Sequence, residues 1–357
     1  MNKIKVLHFV SGLGNDGVTQ VIKNYTSKLN QHYNIENIVV YQHHAKADKV
    51  LELQQIGDKL YEIPYKSDHP FANLLETYKI IKKEQPDIVH AHMSLLSFYP
   101  LSVAWLLRVK VRIAHAHIAQ DNINPHMAKV FKKLNYIFAN HYIACGQSAG
   151  KYLFGKRHFD IMYNAIDQSK YKFDLKKRKL LREKLKISDN TVIIGTLGRL
   201  TKQKNQGFLI DIFNQYHHDN PNSKLIIVGV GELEDKLYQK IKSIHQEENI
   251  IIVPGTNDPE SYYSAFDFFV LPSLYEGLPV SAIEAQASGI NMILSNNIDR
   301  DVQYNSNVTF LPVDKGAAPW VFAINDFNML IGKMFLVKIN IILKSSILEF
   351  LNYIQNY

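Results

Sequence analysis

The chain alternates short, almost unbroken apolar runs with longer stretches of helical periodicity, and that alternation limits the folds open to it. The runs are "IKVLHFV", "IENIVVY", "PDIVHAH", "KVRIAHAH", "HYIAC", "TVIIGTLG", "KLIIVG", "NIIIVPG", "DFFVLP" and "NMILS", with patterns such as "TQVIKNYTSKLN" and "LEDKLYQKIKSIH" between them. A strand apolar on both faces belongs in a parallel sheet covered by helices, because a strand with one wet face would alternate. The class is therefore α/β, doubly wound.

At 357 residues the chain is too long for one typical core and fits two domains. The strand spacing breaks in "YNAIDQSKYKFDLKKRKLLREKLKISDN", which is polar and charged, and a fresh strand begins near Thr191. This places an N-terminal domain at 1–165, a C-terminal domain at 166–323 and an atypical tail at 324–357. Two Rossmann-like halves of this kind would face each other across a cleft built from strand carboxyl ends, where such folds bind ligands.

Several classes are disfavoured. One cysteine, Cys145, allows no disulfide framework and reads as a small buried hydrophobe at a strand end. The amino terminus runs straight into a glycine loop, too soon for a signal peptide's apolar core. The most apolar tract, 329–350, is interrupted by Lys333, Lys338 and Lys344, so a spanning helix is not expected. These features point to a cytoplasmic protein. A net charge of +8 raises anionic partners. No zinc spacing, recognition helix or RNA-binding signature accompanies it, so nucleic acid is not expected. The local concentrations "KKRKLLREKLK" and "WLLRVKVR" fit either a solvated face or contact with an anionic membrane at the inner face of the cell.

After the first strand, Gly12, Gly14 and Gly17 match the dinucleotide fingerprint. That reading also needs an acid at the end of the second strand to hold a ribose, and "VVYQHH" has none. The glycines then mean a tight turn and a bare helix amino terminus at Gly17, able to face an anion or a sugar hydroxyl.

The second half carries more. In "GTLGRLTKQKNQGF", Arg199 and Lys204 follow a strand and could clamp a diphosphate, Arg199 as a bidentate partner and Lys204 as a point charge. "LIIVGVGELEDKL" places Gly229 at a second close backbone approach. "SLYEGLPVSAIEA" follows a buried strand, with Pro279 suited to a helix start and Gly289 to its stop. Glu276 then lies in the loop and Glu284 inside the helix, leaning back towards the amino-terminal end. Between them the N–H groups of Gly277 and Leu278 are placed to meet a phosphate. One motif could therefore hold a sugar hydroxyl, a phosphate and a second hydroxyl in line, which suits a polyol attached to a diphosphate, such as a nucleotide sugar.

These residues resemble the retaining glycosyltransferases of the GT-B group called family 4. "EGLPVSAIE" looks like the family's Glu-x7-Glu motif, and "SGLGNDG", "GRLTKQKN" and "IIVGVGELEDKL" occur in the family's order over roughly residues 3–320. The resemblance is closest to bacterial enzymes of capsule or exopolysaccharide synthesis. It implies a GT-B fold and a nucleotide-sugar donor, UDP being the commonest. It also implies a glycan or lipid-linked acceptor, no cofactor and no metal. By resemblance Glu276 contacts the donor sugar, Glu284 the nucleotide ribose, and Arg199 with Lys204 the diphosphate.

Two His-x-His pairs end neighbouring strands, His90 with His92 and His115 with His117. Each pair lies on one strand face, but no Cys or carboxylate stands beside it with ligand spacing, so a metal site is not expected. The resemblance puts a histidine at the end of the fourth strand near the donor sugar, and His117 is assigned that role, with His115 as the fallback.

The chain departs from the family at Asp16-Gly17, where members have two glycines, and at Thr19, which is often an acid. Both touch the acceptor-side loop. After Ala323 the tail lacks a clear helical stripe. It is either a hydrophobic variant of the family's last helix, which crosses back to the first domain, or a sequence read out of frame. A nucleotide-sugar epimerase and an inactive nucleotide-sugar-binding protein of the same fold stay open as alternatives.

Overall fold

A computed structural model describes residues 3–43, 45–121 and 123–328. The chain divides into two compact units, with the break between Ala165 and Ile166. The alternative readings of the tail fall mainly on residues 329–357, outside the described part. The helix Ala318–Asn328 runs through Ala323 without interruption, and Ile324 on it is fully buried.

The first unit is built on β1 (Ile4–Val10), β2 (Ile35–Gln42), β3 (Lys59–Ile63), β4 (Ile88–Ala91), β5 (Val111–Ala116), β6 (His141–Ala144) and β7 (Asp160–Ile161). They form one sheet in the order β3-β2-β1-β4-β5-β6-β7, with every pair parallel. The second unit uses β8 (Val192–Leu197), β9 (Ser223–Val228), β10 (Ile250–Val253), β11 (Phe268–Leu271), β12 (Asn291–Ser295) and β13 (Val308–Leu311). Its order is β10-β9-β8-β11-β12-β13, again all parallel. Both sheets are doubly wound, as their two-faced apolar strands require.

In each sheet the strand order reverses once, between β1 and β4 in the first unit and between β8 and β11 in the second. Crossover helices diverge to opposite faces at such a point and leave a crevice at the strand carboxyl ends. Phe268, Val270 and Trp320 bury completely in the second unit's core, and the Trp320 indole N–H donates to the Pro312 carbonyl at 3.0 Å.

The basic run at 176–186 is only partly a surface. It lies on the helix Leu175–Lys184, where Arg178 and Arg182 each bond one oxygen of Asp267 at 2.7 Å. Arg182 is almost fully buried and also donates to the Ala265 carbonyl. Two of the cations thus anchor this helix to the second unit. Cys145 is buried and forms no disulfide.

Candidate active site

The reversal point of the second sheet carries the charged residues. After β8 the chain enters a 3-10 turn, Lys202–Lys204, and after β11 it enters the loop that ends at Glu276. Three hydrogen bonds fasten one loop to the other. The Leu274 N–H donates to the Gln203 carbonyl at 2.8 Å, the Gln203 amide donates to the Tyr275 carbonyl at 3.0 Å, and the Asn205 amide donates to the Pro272 carbonyl at 3.1 Å. The result is an ion pair, Lys204 Nζ to Glu276 Oε1 at 2.6 Å, with both side chains largely buried. The Ser273 hydroxyl donates to the same oxygen at 3.1 Å.

Arg199 stands exposed at the start of the loop, and its guanidinium pairs with no carboxylate among the described residues. Gly229 follows β9 beside it. A Cβ at Gly229 would lie 1.9 Å from the Gly198 carbonyl oxygen, so packing of the two strand-end loops already requires glycine there.

The helix of the Glu-x7-Glu motif spans Val280–Ala287, slightly shorter than its sequence suggests, with Pro279 as N-cap rather than first residue. Its stop is as expected, since Gly289 has φ +78°, a conformation that favours glycine. No side chain caps the first turn, so Gly277 and Leu278 lead into a helix end that keeps its dipole.

Glu284 lies within this helix. It is buried, and its two oxygens accept from the hydroxyls of Tyr171 at 2.7 Å and Tyr263 at 2.8 Å. Burial raises its pKa above the usual carboxylate value, and the two hydroxyls work against that rise. Both tyrosine hydroxyls are in turn pushed up, first by burial and then by the carboxylate. A carboxylate oxygen has a second lone pair, so Glu284 keeps acceptor capacity for a ligand.

In the first unit the expectation at Gly17 fails. The helix Gly17–His32 does not begin bare: Asp16 caps it, accepting from the Val18 and Thr19 N–H groups at 3.0 and 3.1 Å. The Thr19 hydroxyl donates to Asp16 at 2.9 Å and accepts from the Gly14 N–H. The aspartate that replaces a family glycine thus supplies the negative charge that a bare helix end would have drawn from a ligand.

The histidines come closer together than two strand-end pairs suggest. His8 on β1 joins them, opposite His90 in the strand register. His92 bonds His8 at 3.2 Å and His117 at 3.0 Å, and His90 bonds His115 at 3.0 Å. The rings of His90 and His92 pack with centroids 3.9 Å apart. Removal from water pulls His8 and His117 from 6.5 to about 4. It pulls His90, His92 and His115 well below 6.5, with mutual repulsion adding to the effect. All five imidazoles are therefore neutral at pH 7. His8, His90 and His92, and again His92, His115 and His117, each offer nitrogens within 4.8 Å of one another. The third strand thus supplies the proximity that a reading from ligand spacing lacked. His117 follows the fifth strand in chain order, not the fourth.

Sequence reasoning missed His8, Tyr171, Tyr263 and Gln203. Only His8 left a signal, as a polar residue inside an apolar two-faced strand.

Two parallel sheets with loaded reversal points define a GT-B glycosyltransferase architecture. Residues 15–170 match the model described as Glycosyltransferase Family 4, and residues 177–309 match that of Glycosyl transferases group 1. The chain belongs to this family. It is 26% identical over 317 residues to the capsular polysaccharide biosynthesis glycosyltransferase CapH of Staphylococcus aureus, covering 85% of this chain and 84% of that one. It is 29% identical over 237 residues to the Escherichia coli UDP-Gal:alpha-D-GlcNAc-diphosphoundecaprenol alpha-1,3-galactosyltransferase, covering 63% and 61%. Its fold is similar to the crystal structure of Anabaena Alr3699/HepE in complex with UDP-glucose, with a TM-score of 0.80, 19% identity and coverage of 93% and 91%.

Proposed function

We propose that this glycosyltransferase moves a sugar, with retention of configuration, from a UDP-sugar to a glycan or lipid-linked acceptor in bacterial surface polysaccharide synthesis. The observation that carries the reading is the second unit's reversal point. It combines the exposed Arg199, the Lys204 and Glu276 pair, and, just after Gly277 and Leu278, a helix start that no side chain caps. A cation without a carboxylate partner and a helix dipole suit a diphosphate, and they would offset the charge that grows on the departing group. Lys204 would exchange part of its contact with Glu276 for phosphate oxygen, releasing Glu276 to accept from a sugar hydroxyl. Glu284 would hold the ribose with the lone pairs its tyrosines leave, and Gly229 keeps the neighbouring loop close. His117 would serve the sugar end of the reaction. The names of the CapH and galactosyltransferase relatives support the polysaccharide setting and the diphosphoundecaprenol type of acceptor.

The reading requires no resident metal or cofactor. It places the enzyme in the cytoplasm, resting on the inner face of the membrane. The helix Pro125–Phe138 exposes Met127, Val130 and Ile137 beside Lys129 and Lys133, a pattern suited to an anionic bilayer. Among the described residues no helix is long and apolar enough to cross one. Co-sedimentation with phosphatidylglycerol vesicles, lost in the Met127→Asp/Val130→Asp variant, tests the contact.

A thermal-shift panel of nucleotide sugars on the wild type and on Glu284→Ala tests the donor site. A UDP-sugar at a hundred times its Kd should stabilise the wild type by about 2.7 kcal/mol, and the variant by much less. If no nucleotide stabilises the wild type, the donor assignment fails. The anomeric coupling constant in the product's NMR spectrum then decides retention.

A further inference from the structure

The hydrogen bonds of the first unit determine which nitrogen of His117 carries its proton, and the determination starts far from His117. The Asn30 amide nitrogen donates to the Ile56 carbonyl at 2.9 Å and to Asp58 at 2.7 Å. A carbonyl only accepts, so this fixes the Asn30 amide and turns its oxygen to Asn37, whose amide nitrogen donates to it at 3.0 Å. The Asn37 oxygen then faces His8 Nε2 at 3.0 Å, and His8 Nε2 must be the donor. A neutral imidazole has one N–H, so His8 Nδ1 accepts from His92 Nε2 at 3.2 Å. For the same reason His92 Nδ1 accepts from His117 Nε2 at 3.0 Å. One assignment satisfies every link, and it leaves the lone pair of His117 on Nδ1. No hydrogen bond to that nitrogen is found among the described residues.

We infer that Asn37, His8 and His92 are positioning residues that lock His117 in its Nε2–H tautomer and so make its Nδ1 an acceptor for a sugar or acceptor hydroxyl. A lone pair repels the oxygens of a phosphate and attracts an O–H, so the lock excludes the diphosphate as the partner of His117. Packing does not account for the arrangement. Apolar side chains would fill the same space without desolvating three imidazoles and two amides in one file. Burial keeps each ring neutral, which the single-proton argument requires. A bound ion is the competing use of these rings, but both nitrogens of His92 are already engaged in the file. The inference rests on the proposed role of His117 for its functional half only.

Two-bond proton–nitrogen correlation spectra of the full-length protein, labelled with 15N-histidine and assigned by the signal lost in His117→Gln, read the tautomer directly. The wild type at pH 7.5 should show His117 protonated on Nε2 alone. His92→Leu should give a mixture of the two tautomers and a roughly tenfold lower kcat, with the KM for the nucleotide sugar little changed. His92→Gln, which keeps a donor and an acceptor, should recover the tautomer and most of the kcat. A wild type protonated on Nδ1, an unchanged tautomer in His92→Leu, or stoichiometric zinc binding that His92→Gln abolishes would each overturn the lock. If the lock holds while His117→Ala keeps full turnover, the role of His117 in the reaction falls, and the hydroxyl assignment falls with it.

Discussion

The two sheets solve the same topological problem with opposite chemistry. At the reversal between β1 and β4 the first unit assembles imidazoles and amides, all neutral and mostly buried. At the reversal between β8 and β11 the second unit holds a lysine, a glutamate and an exposed arginine. Buried imidazoles coexist at van der Waals distance only without charge, because each imidazolium would repel the next. Buried Lys204 and Glu276 coexist only because each neutralises the other. One sheet end is thus suited to hydroxyls and the other to phosphate. The contrast extends to the two helix starts: Asp16 closes the one in the first unit, while the one after Pro279 has no side-chain cap.

The largest effect should come from taking the charge out of the second unit. Lys204→Met leaves Glu276 buried without its cation, which should cost about 3–5 kcal/mol of stability. It should also lower turnover by about 100- to 1,000-fold through loss of charge stabilisation on the leaving diphosphate. Lys204→Met/Glu276→Gln separates the two effects: urea unfolding should show most of the stability restored, while donor turnover stays low. Full turnover in the double variant would mean that this sheet end does not handle charge in the reaction.

Acid should act in opposite directions on His8 in the first unit and Glu284 in the second. For His8 the folded pKa of about 4 lies below the usual 6.5. Above 6.5 neither state takes the proton, and between 6.5 and about 4 the unfolded chain takes it first, so stability is lost as pH falls. By pH 4 the loss from His8 alone is about 3 kcal/mol. Glu284 has the reverse sign. Its folded pKa is raised, so its native form binds the proton more readily, and acidification favours the second unit at that residue. The chain has two tryptophans, Trp105 in the first unit and Trp320 in the second. In Trp105→Phe, which alters an exposed residue, fluorescence follows the second unit while circular dichroism follows both. Urea unfolding at pH 7.5 and 4.5 should then show the Trp320 transition outlasting the loss of overall ellipticity at the lower pH. Coincident transitions at both values would remove the contrast.

How far this comparison was visible in the sequence depended on burial. Central strands such as "KLIIVG" and "DFFVLP" are apolar on both faces and announce themselves. β3, β7 and β13 lie at sheet edges, where partial exposure breaks the apolar run, and they went unread. Missing β3 is what made the strand of His117 look like the fourth. The Lys204, Glu276 and Gly277 loops were legible because glycine, proline and charge at fixed spacing carry local meaning. The histidine file was not, since His8 and His92 are 84 positions apart and meet only through strand register. Asp16 could have been read as an N-cap, but the adjacent glycines drew the reading towards a bare helix end. Tyr171 and Tyr263 left no local sign, since a tyrosine's hydroxyl partner depends on tertiary packing.

The smallest effect tests whether Glu284 belongs with the charged end or is merely buried near it. Tyr263→Phe keeps the ring in the core and removes one hydroxyl from Glu284 Oε2. A hydrogen bond to a charged group contributes about 1.5–3 kcal/mol, and the low end applies here because Tyr171 still holds Oε1. Without the Tyr263 hydroxyl, which opposes the effect of burial, the Glu284 pKa should climb further. Donor affinity in Tyr263→Phe should therefore weaken as pH falls, beginning at a higher pH than in the wild type, because a protonated Glu284 is a poorer acceptor for ribose hydroxyls. Tyr171→Phe should behave alike, since its bond ties the segment after Ala165 to the same carboxylate. Isothermal titration with UDP between pH 5 and 8 reads both variants. If their pH dependence overlays that of the wild type, Glu284 does not titrate against the nucleotide and its burial serves the fold alone.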